Sequence, residues 1–251
     1  KDTEKQRKLW ESDWKRFEGK FPGDKFNSFI VPFALSVRPS VGQASAFTAL
    51  KSYFSSLEDN SERESPRSLL QIAVNDMNRH LPLYLALQTS DEKWLDEFEN
   101  LSTKGDSSLT IKDSKRPTEQ ITRFSQLRLE EAAYPYLFNL IEGIQLGKID
   151  AKDGLSCLEI VESYVVRRRI AGFERTGITF FKKILEKKGK GGKPYKTSES
   201  QLVAEIDKNN NTNFYDDRVI KEYLDGTADG AHRGIYKQDS AFALFLLLQF
   251  E

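Results

Sequence analysis

The sequence predicts a mainly α-helical fold, an irregular multi-helix bundle with few or no strands. Apolar residues recur at spacings of three and four through most of the chain, which places them on one face of a helix. The alternation of apolar and polar residues that indicates half-buried strands is scarce. With 38% hydrophobic residues, including 17 Phe and 9 Tyr, the 251-residue chain can form a substantial core.

The first third of the chain contains three amphipathic stripes. The first consists of Trp10, Trp14, Phe17 and Phe21, the second of Phe47, Leu50, Phe54 and Leu57, and the third of Leu70, Val74, Met77 and Leu81. Ser65 and Pro66 favour a helix start, because serine caps a helix and proline at its first position loses no needed N–H group. Pro82 predicts that this third helix kinks or restarts near Arg79 and His80.

The middle of the chain contains one predicted loop and two predicted helices. Residues 102–118 are rich in Ser, Thr, Lys and Asp and lack a period, so we expect an exposed loop and a weak boundary. Residues 119–147 are expected to form one helix in spite of Pro135, with Gly147 as its stop. The next helix should begin at a cap, Asp150 or Asp153, and end at Gly172. Its predicted core face consists of Leu155, Leu158, Val161 and Val165.

Three parts are expected along the chain: a helical core at 1–186, a basic flexible loop at 187–198 and a smaller helical part at 199–251. The longest apolar run, 241–248, is much shorter than the roughly 20 residues that span a bilayer, so no membrane contact is predicted. The chain begins without methionine, inside a predicted helix and without a secretory signal. We therefore expect a fragment of a longer, cytoplasmic protein.

Composition and motifs give no catalytic or metal site. With 38 basic and 38 acidic residues, no overall field directs the chain to nucleic acid or membrane. The two histidines, His80 and His232, have no metal-ligand spacing and are expected to be structural or exposed. Cys157, the single cysteine, excludes an internal disulfide and favours a reducing compartment. Its place on a core-facing helix stripe predicts a buried, unreactive thiol.

Arg167, Arg168 and Arg169 point in three directions about 100° apart on a helix, so at least one of them should lie against other parts of the protein. Two interpretations remain open for them. In the first, the guanidinium groups bridge acidic residues on neighbouring helices. In the second, they grip phosphate groups. Arg175 fits either interpretation.

The glycine-rich segment 189–193 lacks the GxxxxGK[ST] pattern and does not follow an apolar strand, so it is not a Walker A loop. Its lysines and the two that precede it permit contact with DNA phosphates, but such tracts are also common as solvated connections. The candidate DNA-binding or interdomain residues are thus Arg167, Arg168, Arg169, Arg175, Lys187, Lys188, Lys190 and Lys193.

Residues 158–172 read Leu-Glu-Ile-Val-Glu-Ser-Tyr-Val-Val-Arg-Arg-Arg-Ile-Ala-Gly. This segment resembles one that recurs in GmrSD-type, modification-dependent (type IV) restriction nucleases. In that family an aliphatic helix runs into Glu-Ser-Tyr or Glu-Ser-Phe, two apolar residues, an Arg-Arg pair and a nearby Gly. The early Trp-containing helix and the Asp-containing segment at 214–217, which precedes an apolar helix, also follow the order of the family.

The resemblance implies a parent protein with an N-terminal ParB-like NTPase domain and a C-terminal HNH-type endonuclease domain, acting in bacterial anti-phage defence. The Asp-Gly-Gln-Gln-Arg signature of the NTPase and a His-centred nuclease motif have no counterpart here, so no catalytic residue is transferred. An NTP and a divalent metal are implied for the parent, and no cofactor for this chain. The expected role is a helical connector that couples nucleotide state to nuclease activity, touching the flanking domains or modified DNA.

Two alternatives belong to other functional classes. A protein–protein interaction scaffold without a DNA role predicts exposed apolar patches near Trp10, Trp14 and the final helix. A separate DNA-binding module predicts a continuous basic face and salt-dependent binding. The balanced charge argues against the second alternative.

Overall fold

The fold is known from a computed structural model. It describes residues 4, 7–8, 10–21, 25–37, 46–59, 66–89, 91, 93–96, 111–129, 131–146, 148–172, 180–181, 184, 199–208, 215–227 and 240–248. These residues are overwhelmingly helical and include no strand, which confirms the predicted fold class. None of the described helices is long and apolar enough to cross a membrane.

Ten α-helices follow one another among the described residues. They are α1 (Lys15–Glu18), α2 (Lys25–Val37), α3 (Ala46–Asp59), α4 (Pro66–Thr89), α5 (Ile111–Gln126), α6 (Tyr134–Gln145), α7 (Ala151–Ile170), α8 (Glu199–Lys208), α9 (Asp217–Leu224) and α10 (Ser240–Leu248). A π-helical stretch at Trp10–Trp14 precedes α1, and a 3₁₀ turn at Glu131–Ala133 precedes α6.

One hydrophobic cluster extends from Phe17 in α1 to Phe245 in α10. Its aromatic part surrounds Phe29 of α2, whose ring lies 5.3 Å from that of Tyr84 in α4, edge to face. Leu202 of α8 and Phe242 of α10 belong to the same cluster. The described helices on both sides of the lysine-rich segment 187–198 therefore share one core.

Helix α4 begins at Pro66, as predicted, whereas Ser65 lies outside the described residues. The restart that Pro82 predicted is wrong, because α4 continues as one helix through this residue. Residues 81–87 are all buried, so side-chain packing offsets the backbone hydrogen bond that proline cannot make.

Two predictions for the middle of the chain are wrong. Residues 111–118, expected in a loop, form the first half of α5, while 102–110 lie outside the described residues. The segment contains Lys112, Lys115 and Arg116, which are good helix formers, and Ile121 and Phe124 anchor the same helix in the core.

The single helix expected over 119–147 is instead two helices, α5 and α6. The break lies at Arg128, whose φ of 49° is a left-handed conformation that no helix continues through. Pro135 then lies in the first turn of α6, where a proline is tolerated. Gly147, the predicted stop, lies outside the described residues.

Candidate functional site

Helix α7 positions the three consecutive arginines in its last turn. At its start, Asp150 Oδ1 accepts hydrogen bonds from the backbone N–H groups of Lys152 at 2.9 Å and Asp153 at 3.3 Å, so Asp150 is the cap. The predicted core face is confirmed, because all four of its residues are buried. The helix ends at Ile170, and Gly172 has a φ of 79°. Three positive charges in the last turn also complement the helix dipole.

Arg167 joins α7 to the start of α9. Its Nη2 lies 2.5 Å from Asp217 Oδ1, and its Nη1 donates to the backbone carbonyl oxygen of Tyr215 at 2.8 Å. The third donor, Nε, bonds Ser163 Oγ one turn earlier on α7 at 3.1 Å. The Asp217 side chain is 91% exposed, so this ion pair lies at the surface.

Arg168 is directed into the protein. The residue is 8% exposed, and its guanidinium carbon lies 5.6 Å from the centroid of the Tyr164 ring, which is itself fully buried. Burial raises the pKa of the Tyr164 hydroxyl, and the charge of Arg168 acts in the opposite direction. This arginine therefore takes part in internal packing.

Arg169 connects α7 with two further elements. Its Nη1 donates to the carbonyl oxygen of Leu127, in the turn between α5 and α6, at 2.7 Å. Its guanidinium carbon lies 4.5 Å from the centroid of the Phe242 ring on α10. A single side chain thus joins three parts of the fold that are remote in sequence, namely its own helix α7, the turn after α5 and α10.

The prediction that at least one of these arginines lies against other elements is confirmed, since Arg167 and Arg169 both contact other elements and Arg168 is buried. The pair of Arg167 with Asp217 is the acidic bridge that the structural interpretation expects. A phosphate group would have to compete with these contacts. Arg175, Lys187, Lys188, Lys190 and Lys193 lie outside the described residues, so their assignment stays a prediction.

A second polar link joins α7 to α5, one helical turn before the arginines. Glu162 accepts a hydrogen bond from Gln120 Nε2 and lies 3.6 Å from Arg123 Nη1. This link was not predictable from a local pattern, because Gln120 and Glu162 are 42 residues apart in the sequence.

A third polar network, also not foreseen, lies over the aromatic core. Tyr53 of α3 donates to Asp76 Oδ2 of α4 at 2.5 Å, and Asp76 also pairs with Arg79. Arg79 Nη1 lies 3.5 Å from Glu142 of α6. Burial raises the pKa of Tyr53, and the hydrogen bond to Asp76 raises it further. The network ties three helices together.

His80 lies beneath this network and is buried, which fits its expected structural role. Its ring stacks on Phe138, with centroids 5.1 Å apart and planes 12° apart. Burial lowers the pKa of His80 to about 4, aided by the nearby charge of Arg79 and opposed by Asp76. The imidazole is therefore neutral at pH 7, so it forms no ion pair with Asp76 at that pH. His232 lies outside the described residues.

Cys157 is fully buried in α7, as predicted. Burial raises the pKa of its thiol to about 11, so almost none of it is thiolate at neutral pH. The prediction of an inert thiol is consistent with this environment.

A polar cleft of about 220 Å³ lies between the N-terminal helical stretch and α4. Its polar lining consists of Ser12, Asp13, Arg16 and Lys20 on one side and Gln71, Asn75 and Asn78 on the other. Lys20 Nζ donates to Asn78 Oδ1 across the cleft at 2.7 Å. This bond joins the two walls.

No group of three or more His, Cys, Asp or Glu among the described residues is arranged to hold a metal ion. Comparison with protein-family models, curated proteins and solved structures gave no match for this chain.

Proposed function

We propose that the chain is the helical connector of an NTP-dependent, modification-dependent restriction nuclease that acts in the bacterial cytoplasm against phage DNA. In this role it couples the nucleotide state of an NTPase domain to the activity of an HNH nuclease domain. The resemblance of residues 158–172 supports the assignment. The NTP and the divalent metal belong to the flanking domains.

The main support from the structure is the position of the arginines within that segment. Arg167 holds the start of α9, and Arg169 holds both the turn after α5 and the terminal α10. A displacement of the end of α7 would therefore act on three elements at once. Packed helices change between discrete arrangements, which is what a connector needs in order to transmit a state.

The DNA contact in this proposal falls mainly to Arg175 and the lysines at 187, 188, 190 and 193. Arg168 is buried, and the guanidinium groups of Arg167 and Arg169 already have protein partners. Lysines in a glycine-rich segment approach phosphate groups as point charges, which gives salt-dependent binding.

A scaffold without a DNA role is the second candidate, and one observation favours it. Leu244 and Leu247 of α10 are 57% and 50% exposed and lie three residues apart, on one face of the helix. Trp14, by contrast, is half-buried against Phe26, with ring centroids 5.5 Å apart, and the Trp10 side chain lies outside the described residues.

The DNA contact is tested by measuring binding of the 251-residue chain to modified and unmodified duplexes at two salt concentrations. Salt-sensitive binding should be lost in a Lys188→Ala/Lys190→Ala variant. It should persist in a Lys148→Ala/Lys152→Ala variant, which removes two exposed lysines elsewhere. Absence of binding at low salt, or equal loss in both variants, rejects the DNA contact and leaves the scaffold.

Coupling is tested with the chain joined to its proposed flanking domains, by measuring NTP hydrolysis and cleavage of modified DNA in one preparation. An Arg169→Gln variant that stays folded should keep hydrolysis and lose much of the cleavage. Unchanged cleavage, or a parallel loss of both activities, argues against a connector. A Lys148→Ala variant is the control.

A further inference from the structure

Helix α9 is attached to the protein without entering its core. None of its residues is buried, and Leu224 is 40% exposed. None of them packs against the hydrophobic core cluster, whereas Leu202 and Ile206 of the neighbouring α8 belong to it. The helix also has its own cap, because Asp216 Oδ1 accepts a hydrogen bond from the N–H of Val219 at 2.9 Å. The start of α9 is therefore capped by a residue of its own segment and not by a group from the protein core.

Two polar contacts tie the start of α9 to Arg167 of α7. Both terminal nitrogens of this guanidinium are used, Nη1 by the carbonyl oxygen of Tyr215 and Nη2 by the carboxylate of Asp217. The fork that these two nitrogens form is the one that binds two oxygens of a phosphate group. A phosphate that takes the same two N–H groups therefore competes with docked α9 for Arg167.

We infer that α9 is a releasable helix and that a phosphate oxyanion competes with it for Arg167. The oxyanion comes from a nucleic acid backbone or from a free nucleotide, and both present the same chemistry. Release of α9 gives α7 two discrete states. The use of those states to couple two domains rests on the proposed function, whereas the competition itself does not.

Hydrogen–deuterium exchange of the intact chain, followed by mass spectrometry, tests the attachment. Peptides from α9 should exchange faster than those from the last turns of α7 and from α8, which bury apolar residues. An Arg167→Gln variant should raise exchange in α9 roughly fivefold, since it removes an exposed ion pair and a charged hydrogen bond. It should leave α8 unchanged.

An Arg218→Gln variant is the matched control, because Arg218 pairs with Glu222 inside α9, at 3.0 Å, and not with α7. It should leave exchange in α9 close to that of the unmodified chain. Equal exchange in α8 and α9, or equal effects of the two variants, would overturn the inference.

The competition is tested by adding pyrophosphate or a single-stranded oligonucleotide, each against sodium chloride at equal ionic strength. At least one of them should raise exchange in α9 of the unmodified chain and have no effect in Arg167→Gln. A response to the oligonucleotide alone identifies nucleic acid as the source, and a response to pyrophosphate alone identifies a free nucleotide. No response to either overturns the competition. Confirmed competition without coupled DNA cleavage would reject only the proposed function.

Discussion

Arg169 holds its guanidinium carbon 4.5 Å from the centroid of the Phe242 ring while it donates to the carbonyl oxygen of Leu127. Cation–π contacts of this kind contribute about 0.5–2 kcal/mol, depending on how far they are desolvated. Arg169 therefore fixes α10 to α7 through its charge and the Phe242 ring, and it fixes the turn after α5 through a backbone acceptor.

Replacing Arg169 by Lys should lower the free energy of unfolding by about 1–3 kcal/mol. The shorter ammonium group cannot serve the carbonyl of Leu127 and the ring of Phe242 together, so a part-buried acceptor loses its donor. Urea denaturation measures the change. Arg128→Lys, at an exposed position in the adjacent turn, is the control and should change the free energy of unfolding by less than about 0.5 kcal/mol. Equal losses in the two variants would contradict the assignment.

Gly154→Ala should destabilise the contact between α6 and α7. A Cβ atom at this position would lie 2.4 Å from Ile144 Cδ1 and 2.6 Å from Cγ1. Alanine favours a helix by about 1 kcal/mol over glycine, but overpacking costs about 1–3 kcal/mol, so we expect a net loss. In an Ile144→Ala background, thermal denaturation should show a smaller effect of Gly154→Ala or a gain. A stabilised single variant would show that Ile144 moves aside freely.

The stability of the protein should depend on pH through His80. Its pKa is about 4 in the folded chain and near 6.5 in the unfolded chain, so the unfolded state binds the extra proton between these values. The free energy of unfolding therefore falls as the pH drops below 6.5, and the loss is complete below about 4. From pH 7 to pH 4.5 the unmodified chain should lose about 2 kcal/mol more than a His80→Leu variant, as measured by urea denaturation.

The carboxylates are the same in both proteins, so their contribution to the pH dependence of the free energy of unfolding cancels in the comparison. Leucine does not titrate, so the difference between the two proteins reports the contribution of His80. Parallel losses in the two proteins would show that His80 is protonated in the folded state.

Cys157 should react slowly with a thiol reagent while the chain is folded. Its thiol is fully buried and its pKa is about 11, so at pH 8 the thiolate is scarce. Modification by an aromatic disulfide should be on the order of 100-fold slower than in denaturant. Because this is the single cysteine, a Cys157→Ser chain should give no signal. Equal rates with and without denaturant would place the thiol at the surface.

Features that depend on neighbouring residues were predictable from the sequence. The stripe of α7, a cap at Asp150 or Asp153 and an end near Gly172 all follow from spacing and local backbone chemistry, and the structure selects Asp150. The burial of Cys157 follows from the same stripe. The arginines were also found, since three successive helix positions cannot all face solvent in one direction.

The partners of the candidate site were not predictable in the same way. Leu127 and Arg169 are 42 residues apart, and Tyr215 and Arg167 are 48 apart, so no local pattern relates them. The break at Arg128 was missed because a left-handed arginine has no turn signature comparable to glycine or asparagine. The helical part of 111–118 was missed because charged residues favour helices and loops alike.

The contacts of Arg167 and Arg169 depend on the number of residues in α7 as well as on their types. Each residue inserted between Asp150 and Arg167 would turn the following side chains by about 100° about the helix axis. An insertion or deletion there would move Arg167 away from α9 and Arg169 away from α10, even if every residue type were kept. Lineages of this protein should therefore accept substitutions along α7 far more readily than changes in its number of residues.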